Sequence, residues 1–432
     1  MSPRPSTSEV AASVAAQRHL AGSFLDELRA GTRDGPGVTR AAYGDGEEFA
    51  HALLARYATD LGLEVTRDAA LNTYVTWPGR DRAAPALAMG SHLDSVPQGG
   101  NFDGAAGVVA GLAAIAALRG LGLGRPSCDI IVMAIRAEES VWFQLSYTGS
   151  RAALGMLPPQ ALSARRTDTN RSLAEHIAAL GGHPEALSGS SPPLPPGRIG
   201  AFVELHIEQA PSLVEAGLPI AIGTAIPGNF RHPSACVIGQ QGHVGLPRRF
   251  RHDAALAASE LALGLDAIWQ EHEAARTPMA VTIGRFHTDA RSHGMTIVPG
   301  RFDFSLDIRA YDEAVLTGLE TRLHELIAGI EARRGVRFEL GPRTSAPIAR
   351  ADPTIRAALE AGARELDLSW CLLESPASHD AAAFAAAGIP TGMVFVRNAN
   401  GSHNPSEHME LDDLLTGIAV LAHWVRGVGF VA

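Results

Sequence analysis

Apolar residues fall along this chain in three textures, and each predicts a different layer of structure. The first texture is the unbroken run. Residues 86–89, 129–135, 201–205 and 391–396 are almost wholly apolar, which suits strands buried on both faces in a parallel sheet flanked by helices. The second is helical spacing. Phe49, Leu53, Tyr57 and Leu61 recur every four residues, with Gly62 where a helix-ending glycine belongs. Helices are also predicted over 14–29, 105–119 and 252–271, and Val315, Leu319, Leu323, Ile327 and Ile330 line one further helical stripe. The third texture is strict alternation: Phe302, Phe304, Leu306 and Ile308 interleave with Arg301, Asp303, Ser305, Asp307 and Arg309, the mark of a sheet with one buried and one wet face. Short strands are expected at 63–65, 73–77, 235–238, 281–286 and 336–340. Residues before about 13 read as a frayed tail, Gly35-Pro36-Gly37 breaks the first helix, and the Ser/Pro-rich stretch 188–196 reads as a surface loop.

These textures are not shuffled together. The alternating strand and the stripe helices lie in a βαββαβ-like block over 217–342, between two stretches of buried-strand texture. The expected fold is α/β: a mostly parallel, doubly wound sheet from residues 1–216 and 343–432, carrying an inserted α+β, ferredoxin-like domain with an antiparallel sheet.

The chemistry gathers where the buried strands end. After 86–89 comes Gly90-Ser91-His92-Leu93-Asp94-Ser95-Val96-Pro97, then Gly99-Gly100-Asn101-Phe102-Asp103-Gly104. Imidazole and carboxylate are ligands that a borderline divalent metal prefers, and glycines let a loop close around an ion. The run 129–135 ends in Arg136-Ala137-Glu138-Glu139, 201–205 in His206-Ile207-Glu208-Gln209, and 391–396 in a polar loop with Ser402-His403-Asn404-Pro405. Any one of these histidines alone is an ordinary loop residue, and two adjacent glutamates usually open a solvated helix. Four strands delivering such groups to one edge is a different matter, because that edge of an open α/β sheet is where ligands bind. Two carboxylates closing an apolar strand also cost several kcal/mol to bury unless a cation compensates.

Composition narrows the setting. With 432 residues, 46% apolar and 19% charged, the chain has the make-up of a globular protein. A net charge of −10 argues against a nucleic-acid surface. Cys128, Cys236 and Cys371 are odd in number and far apart, so no disulfide framework is implied. Residues 1–10 lack the apolar core of a leader and no run approaches a membrane span. A cytoplasmic protein with no membrane or nucleic-acid partner is expected.

Five stretches, GSHLDSVPQGGNFDG, RAEE, ELHIEQ, VPGRFDFSLDIR and SHNP, follow one another from residue 90 to residue 405. In that order and spacing the chain resembles the dinuclear-metal aminoacylase/carboxypeptidase clan. Within the clan it is most similar to the branch of N-carbamoyl-L-amino-acid hydrolases, β-ureidopropionases and allantoate amidohydrolases. The resemblance starts near Gly37-Val38-Thr39-Arg40 and runs to the C-terminal helix. It implies two divalent metal ions per subunit, Zn²⁺ or Mn²⁺ with Co²⁺ or Ni²⁺ as alternatives. One would be held by His92, Asp103 and His206, the other by Asp103, Glu139 and His403, with Asp103 bridging. Asp94 would orient the His92 imidazole, and Glu138 would be the general base. Gln209, His243, Thr296 and Arg309 would meet a small carboxylate-bearing substrate, His243 stabilising the oxyanion and Arg309 gripping the carboxylate. The inserted domain would act as a lid and as the interface of a homodimer.

The resemblance has gaps. Thr296 stands where the family has Asn, Ser140-Val141-Trp142 replaces Gly-Ser-Arg, and Leu246-Pro247-Arg248-Arg249 replaces Thr-Thr-Pro-Met. These departures point to a more apolar or aromatic substrate with the hydrolytic set intact. Asp380, in Ser378-His379-Asp380, matches a family signature and serves equally well as a packing residue. The expected activity is hydrolysis of a linear, non-peptide amide or ureido C–N bond. A dipeptidase or N-acyl-amino-acid deacylase is the alternative within the clan, and a catalytically silent small-molecule binder the alternative outside it.

Overall fold

Strand Ala86–His92 lies inside a nine-stranded sheet, paired in parallel with Ile130–Ile135 on one side and Ile199–Ile207 on the other. Ile199–Ile207 pairs in parallel with Thr391–Val396. All residues of Ala86–His92, Ile130–Ile135 and Thr391–Val396 are buried, which is why these strands carry no alternation. The structure, a computed structural model, describes residues 5–188, 192–195 and 197–430. Parts of the expected N-terminal tail (1–4) and surface loop (189–191 and 196) therefore lie outside the described residues.

The sheet is mixed rather than mostly parallel. Thr73–Trp77 runs antiparallel to Ile130–Ile135, Glu64–Arg67 antiparallel to Thr73–Trp77, and Ile220–Ile226 antiparallel to Thr391–Val396. Only residues 68–72 separate Glu64–Arg67 from Thr73–Trp77, far too few for the crossover that a parallel pair requires. At the far side Trp370–Glu374 adds a parallel pair to Ile220–Ile226.

Helix Ala105–Gly120 is buried on every side from Ala105 to Leu118, and helix Leu411–Gly429 packs against it. An all-round apolar helix is a buried one. Its small residues allow close approach: a Cβ on Gly107 would sit 2.1 Å from the Leu205 carbonyl oxygen of the sheet. No helix among the described residues is long and apolar enough to cross a membrane.

Residues 227–349 form a second compact unit. Within this second unit, Met279–Thr282, Arg301–Ala310, Gly228–Ile238 and Arg337–Glu339 lie side by side in that order, all antiparallel. Phe302, Phe304, Leu306 and Ile308 share one core with Leu261 and Leu265 of helix Ala254–Ala274 and with Leu319 and Leu323 of helix Glu313–Arg334.

Several local expectations are corrected. The N-terminal segment is ordered from Thr7, as helix Thr7–Ala15, and the next helix starts at Arg18 and ends at Thr32. A Ser6/Glu9 capping box starts the first helix and Val10 and Val14 bury it. In Asp45–Asp60 the inner face is Ala50, Leu53, Leu54 and Ala58 together with Glu47 and His51, while Phe49 is 39% exposed; two buried polar residues displaced the apolar stripe. The expected strand at 235–238 is the end of Gly228–Ile238, whose register slips opposite Phe304 and Leu306. Pro233 lies at that slip, where a missing N–H is tolerated. The expected strand at 281–286 is two strands, Met279–Thr282 and Phe286–Thr288.

Gly90 gives a direct test of the sheet centre. Its φ is +147°, and a Cβ there would lie 2.0 Å from the Met133 carbonyl oxygen. Gly90→Ala is expected to destabilise the protein by about 1–3 kcal/mol, seen as a lower urea midpoint. An unchanged midpoint would mean that this strand pair is not as close as described.

Candidate metal centre

The three neighbouring parallel strands Ile130–Ile135, Ala86–His92 and Ile199–Ile207, with Thr391–Val396 beside them, end at the same edge. His92 is the last residue of its strand, His206 the penultimate residue of its own, and Glu138, Glu139 and His403 follow theirs. Parallel pairing therefore brings together residues that are up to 311 positions apart in sequence.

Asp103 stands among the three histidines. Its Oδ1 is 3.3 Å from His92 Nε2 and 3.2 Å from His206 Nε2, and its Oδ2 is 3.4 Å from His403 Nε2. Glu139 Oε1 is 3.1 Å from His403 Nε2. The atoms form two donor sets, His92–Asp103–His206 and Asp103–Glu139–His403, each with its ligand atoms within 4.8 Å of one another. His92, Asp103, Glu139 and His206 are buried, while the His403 side chain is 49% exposed and forms the open side of the group.

The residues fit a cation. His206 Nδ1 faces the Ile207 carbonyl at 2.8 Å, and His92 Nδ1 faces the Asp94 carbonyl at 3.1 Å. Both acceptors draw the ring proton to Nδ1 and leave the Nε2 lone pair turned toward Asp103. Asp103 Oδ1 is buried and makes no acceptable hydrogen bond among the described residues. An ionised oxygen facing two nitrogen lone pairs needs positive charge between them. Without a cation the imidazoles supply it themselves. Burial opposes protonation of His92, but Asp103 and Asp94 hold it well above the usual histidine range. Burial likewise opposes protonation of His403, yet Asp103 and Glu139 push it up to about 11.

A tight frame holds the ligands. Asp94 accepts the backbone N–H groups of Glu138 at 3.0 Å and Glu139 at 3.1 Å, so one carboxylate fixes both glutamates. Gly104, at φ +67°, leaves no room for a side chain, because a Cβ would sit 2.6 Å from the His92 ring. Ala137, Gln209 and His403 also take left-handed backbone conformations, at φ +52°, +65° and +59°. Such conformations are costly for non-glycine residues and collect at functional sites.

Four residues here escaped the sequence reading. Arg40 is fully buried; its Nε donates to the Leu93 carbonyl at 2.6 Å, and the charges of Glu407, Asp103, Asp94 and Glu139 offset part of its burial cost. Glu407 accepts the N–H groups of Phe102 and Asp103 at 2.8 and 3.2 Å. Burial and the Asp103 charge raise the Glu407 carboxyl from its usual value, and the Ser402 hydroxyl lies between the two carboxylates, 2.6 Å from Glu407 Oε2 and 2.5 Å from Asp103 Oδ2. Glu47 acts one layer farther out. Arg40 lies in the family-like stretch 37–40 and Ser402 in the stretch SHNP; Glu407 and Glu47 carry no signal of their own.

Glu138 is buried and belongs to neither donor set. Burial, with Glu139, Asp380 and Asp94 nearby, holds its carboxyl well above the usual range against the pull of His92. Gln209 donates from Nε2 to Asp103 Oδ2 at 2.7 Å. Asp380 is buried beside Ser150, whose hydroxyl lies 2.6 Å from it, and burial together with Glu204 pushes it up to about 8. Trp142 is buried in one apolar cluster with Tyr43, Phe143 and Leu157, and its indole donates to the Ser95 carbonyl at 2.8 Å; it is a core residue.

His243, Thr296 and Arg309 belong to the second unit. His243 pairs with Ile297 across a two-residue ladder, and both His243 and Thr296 are exposed. Arg309 donates to Asp307 at 3.1 and 3.2 Å, and Asp307 also accepts from Arg231 at 2.8 Å.

A family model described as peptidase family M20/M25/M40 matches residues 88–427. The chain is similar to an N-carbamoyl-L-amino acid amidohydrolase of Geobacillus stearothermophilus, 34% identical over 398 residues, covering 91% of this chain and 94% of that protein. It is also similar to a ureidoglycolate hydrolase of Oryza sativa subsp. japonica, 33% identical over 395 residues, covering 90% of this chain and 79% of that one. Among solved structures, a hydantoinase/carbamoylase family amidase from Burkholderia vietnamiensis superposes with a TM-score of 0.81 at 29% identity, covering 95% of this chain and 97% of the other.

If His403 closes the second donor set, His403→Ala loaded with Zn²⁺ and desalted is expected to retain about one ion fewer per chain than the wild type by elemental analysis. An unchanged content would remove His403 from the ligands.

Proposed function

Because the chain belongs to peptidase family M20/M25/M40, we propose that it hydrolyses a linear, non-peptide C–N bond of an N-carbamoyl amino acid, a ureido acid or a related N-acyl amide. The observation that carries this reading is Glu138, a buried carboxyl outside both donor sets but adjacent in sequence to the ligand Glu139. A binding protein has no use for a proton acceptor in that place. Relatives of more than 30% identity named for carbamoyl and ureido compounds support the bond type over a dipeptide.

His92, Asp103 and His206 would hold one divalent cation, and Asp103, Glu139 and His403 the other. The pair, Zn²⁺ or Mn²⁺ in this reading, would supply an acidified water and a polarised carbonyl. Glu138 takes the water proton and returns it to the leaving nitrogen, the exchange that a buried carboxyl beside the ligand Glu139 is placed to make. Asp94 keeps Glu138 in place through its backbone N–H. Gln209 orients Asp103 from the side of its Oδ2.

The second unit enters through the family resemblance alone. We assign His243 to the oxyanion and Arg309 and Thr296 to the polar end of the substrate, with Arg309 released in part from Asp307 when a carboxylate arrives. A homodimer through this unit is supported by Leu256 and Leu263, seven residues apart on helix Ala254–Ala274 and 47% and 72% exposed. The cytoplasm is the proposed compartment, on the strength of three cysteines that form no disulfide.

The test is a screen of N-carbamoyl amino acids, ureido acids and N-acyl amides with added Zn²⁺ or Mn²⁺. Ammonia release would mark the ureido and carbamoyl class, and amine release without ammonia the deacylase alternative. On the substrate found, Glu138→Gln is expected to keep its metal and to lose kcat by about 10²–10⁴-fold. A near-normal kcat would remove Glu138 as the base.

A further inference from the structure

Segment 136–139 leaves the sheet in an unusual grip. Four consecutive backbone N–H groups are taken by side chains: Arg136 by Asn72 Oδ1 at 3.0 Å, Ala137 by Glu47 Oε1 at 2.9 Å, and Glu138 and Glu139 by the two oxygens of Asp94. The carbonyls of residues 136, 137 and 138 accept from the N–H groups of Gly149, Thr148 and Tyr147 at 2.9, 3.0 and 3.2 Å. In the middle sits Ala137, left-handed at φ +52°. That conformation reverses the chain so that the next two residues reach the metal centre, and an alanine does not adopt it unaided.

Glu47 is well placed to hold it. It is fully buried on helix Asp45–Asp60, and its other oxygen accepts from the Tyr43 N–H at 2.7 Å and from Arg136 Nη1 at 2.9 Å. Arg136 is buried too, and it also meets Glu48 and the Leu71 carbonyl. A buried ion pair contributes little net stability against apolar packing, so its presence one layer behind the site calls for a role in geometry.

We propose that Glu47 is a positioning residue for the acidic pair: by holding the Ala137 N–H it maintains the left-handed turn that presents Glu138 and Glu139 to the metal centre. The inference rests on the two-metal reading above. The competing role is that of a helix-start acid that merely stabilises the fold, and the two differ in which cation site responds.

The experiment is Zn²⁺ titration of metal-free wild type, Glu47→Gln and Glu47→Gln/Ala137→Gly, with ion content by elemental analysis and folding by circular dichroism. Glutamine keeps the shape of Glu47 but has one acceptor oxygen, which the Arg136 guanidinium and the Tyr43 N–H draw to their side, leaving its NH₂ toward the Ala137 N–H. Wild type is expected to take up two ions. Glu47→Gln should keep the ion of the His92–Asp103–His206 set and bind the one that needs Glu139 about 10–100-fold more weakly. The double variant should recover much of that loss, because glycine holds a left-handed turn without help. Where Glu47→Gln fails to fold, Glu47→Asp, which keeps the charge beside Arg136 but withdraws the carboxylate from Ala137, gives the same readout.

Two ions bound by a folded Glu47→Gln as tightly as by wild type would overturn this inference alone. Equal weakening of both sites with no recovery in the double variant would do the same, assigning Glu47 to the fold only. A wild type that takes up fewer than two ions would overturn the two-metal reading and this inference with it.

Discussion

Asp94, Asp103, Glu138, Glu139 and Glu407 are all buried at one sheet edge, where bulk solvent screens their charge little. Each such carboxylate costs several kcal/mol to desolvate unless positive charge is brought to it. Arg40 provides one fixed charge. Three imidazoles, His92, His206 and His403, converge on Asp103 with their Nε2 atoms, and two of them have their Nδ1 protons engaged elsewhere. The remaining demand is for positive charge on both sides of one shared carboxylate. The surrounding architecture answers that demand: strands that end together, glycines that let the loop close on His92, and a frame of N–H groups that aligns Glu138 with Glu139.

The layers behind the site are arranged for rigidity. The sheet centre is buried on both faces, and helix Ala105–Gly120 lies on it closely enough that Gly107 admits no side chain. Loop residues that carry the chemistry are then tied to this base by buried polar side chains, Asp94, Glu407, Arg40 and Glu47. Precision of this kind matters for a proton acceptor, whose effect depends on hydrogen-bond reach.

The parts legible in the sequence were those governed by periodicity or by clustered residue types. Ile130–Ile135 and Thr391–Val396 read directly as buried strands, and the alternation over Arg301–Ala310 gave its buried face residue by residue. His92, Asp103, Glu139, His206 and His403 stood out because each comes after one of the apolar runs 86–89, 129–135, 201–205 and 391–396. Illegible parts were those whose meaning depends on a partner far along the chain. Glu47 reads as a helix-start acid until Ala137 is beside it, and Glu407 reads as a loop acid until Ser402 and Asp103 are. Phe49 misled because the helix turned Glu47 and His51 inward. Trp142 stood out as a departure from the family and proved to be a core residue bonded to Ser95. No periodicity records a left-handed Ala137 or His403, since a single backbone angle leaves no pattern.

The arrangement depends on Asp103 being shared by two cations, which anomalous diffraction from crystals of the protein loaded with Zn²⁺ would reveal. Two ions about 3.5–4 Å apart are expected, each in contact with one oxygen of Asp103, with Glu138 bound to neither. A single ion, or two ions of which only one touches Asp103, would contradict it.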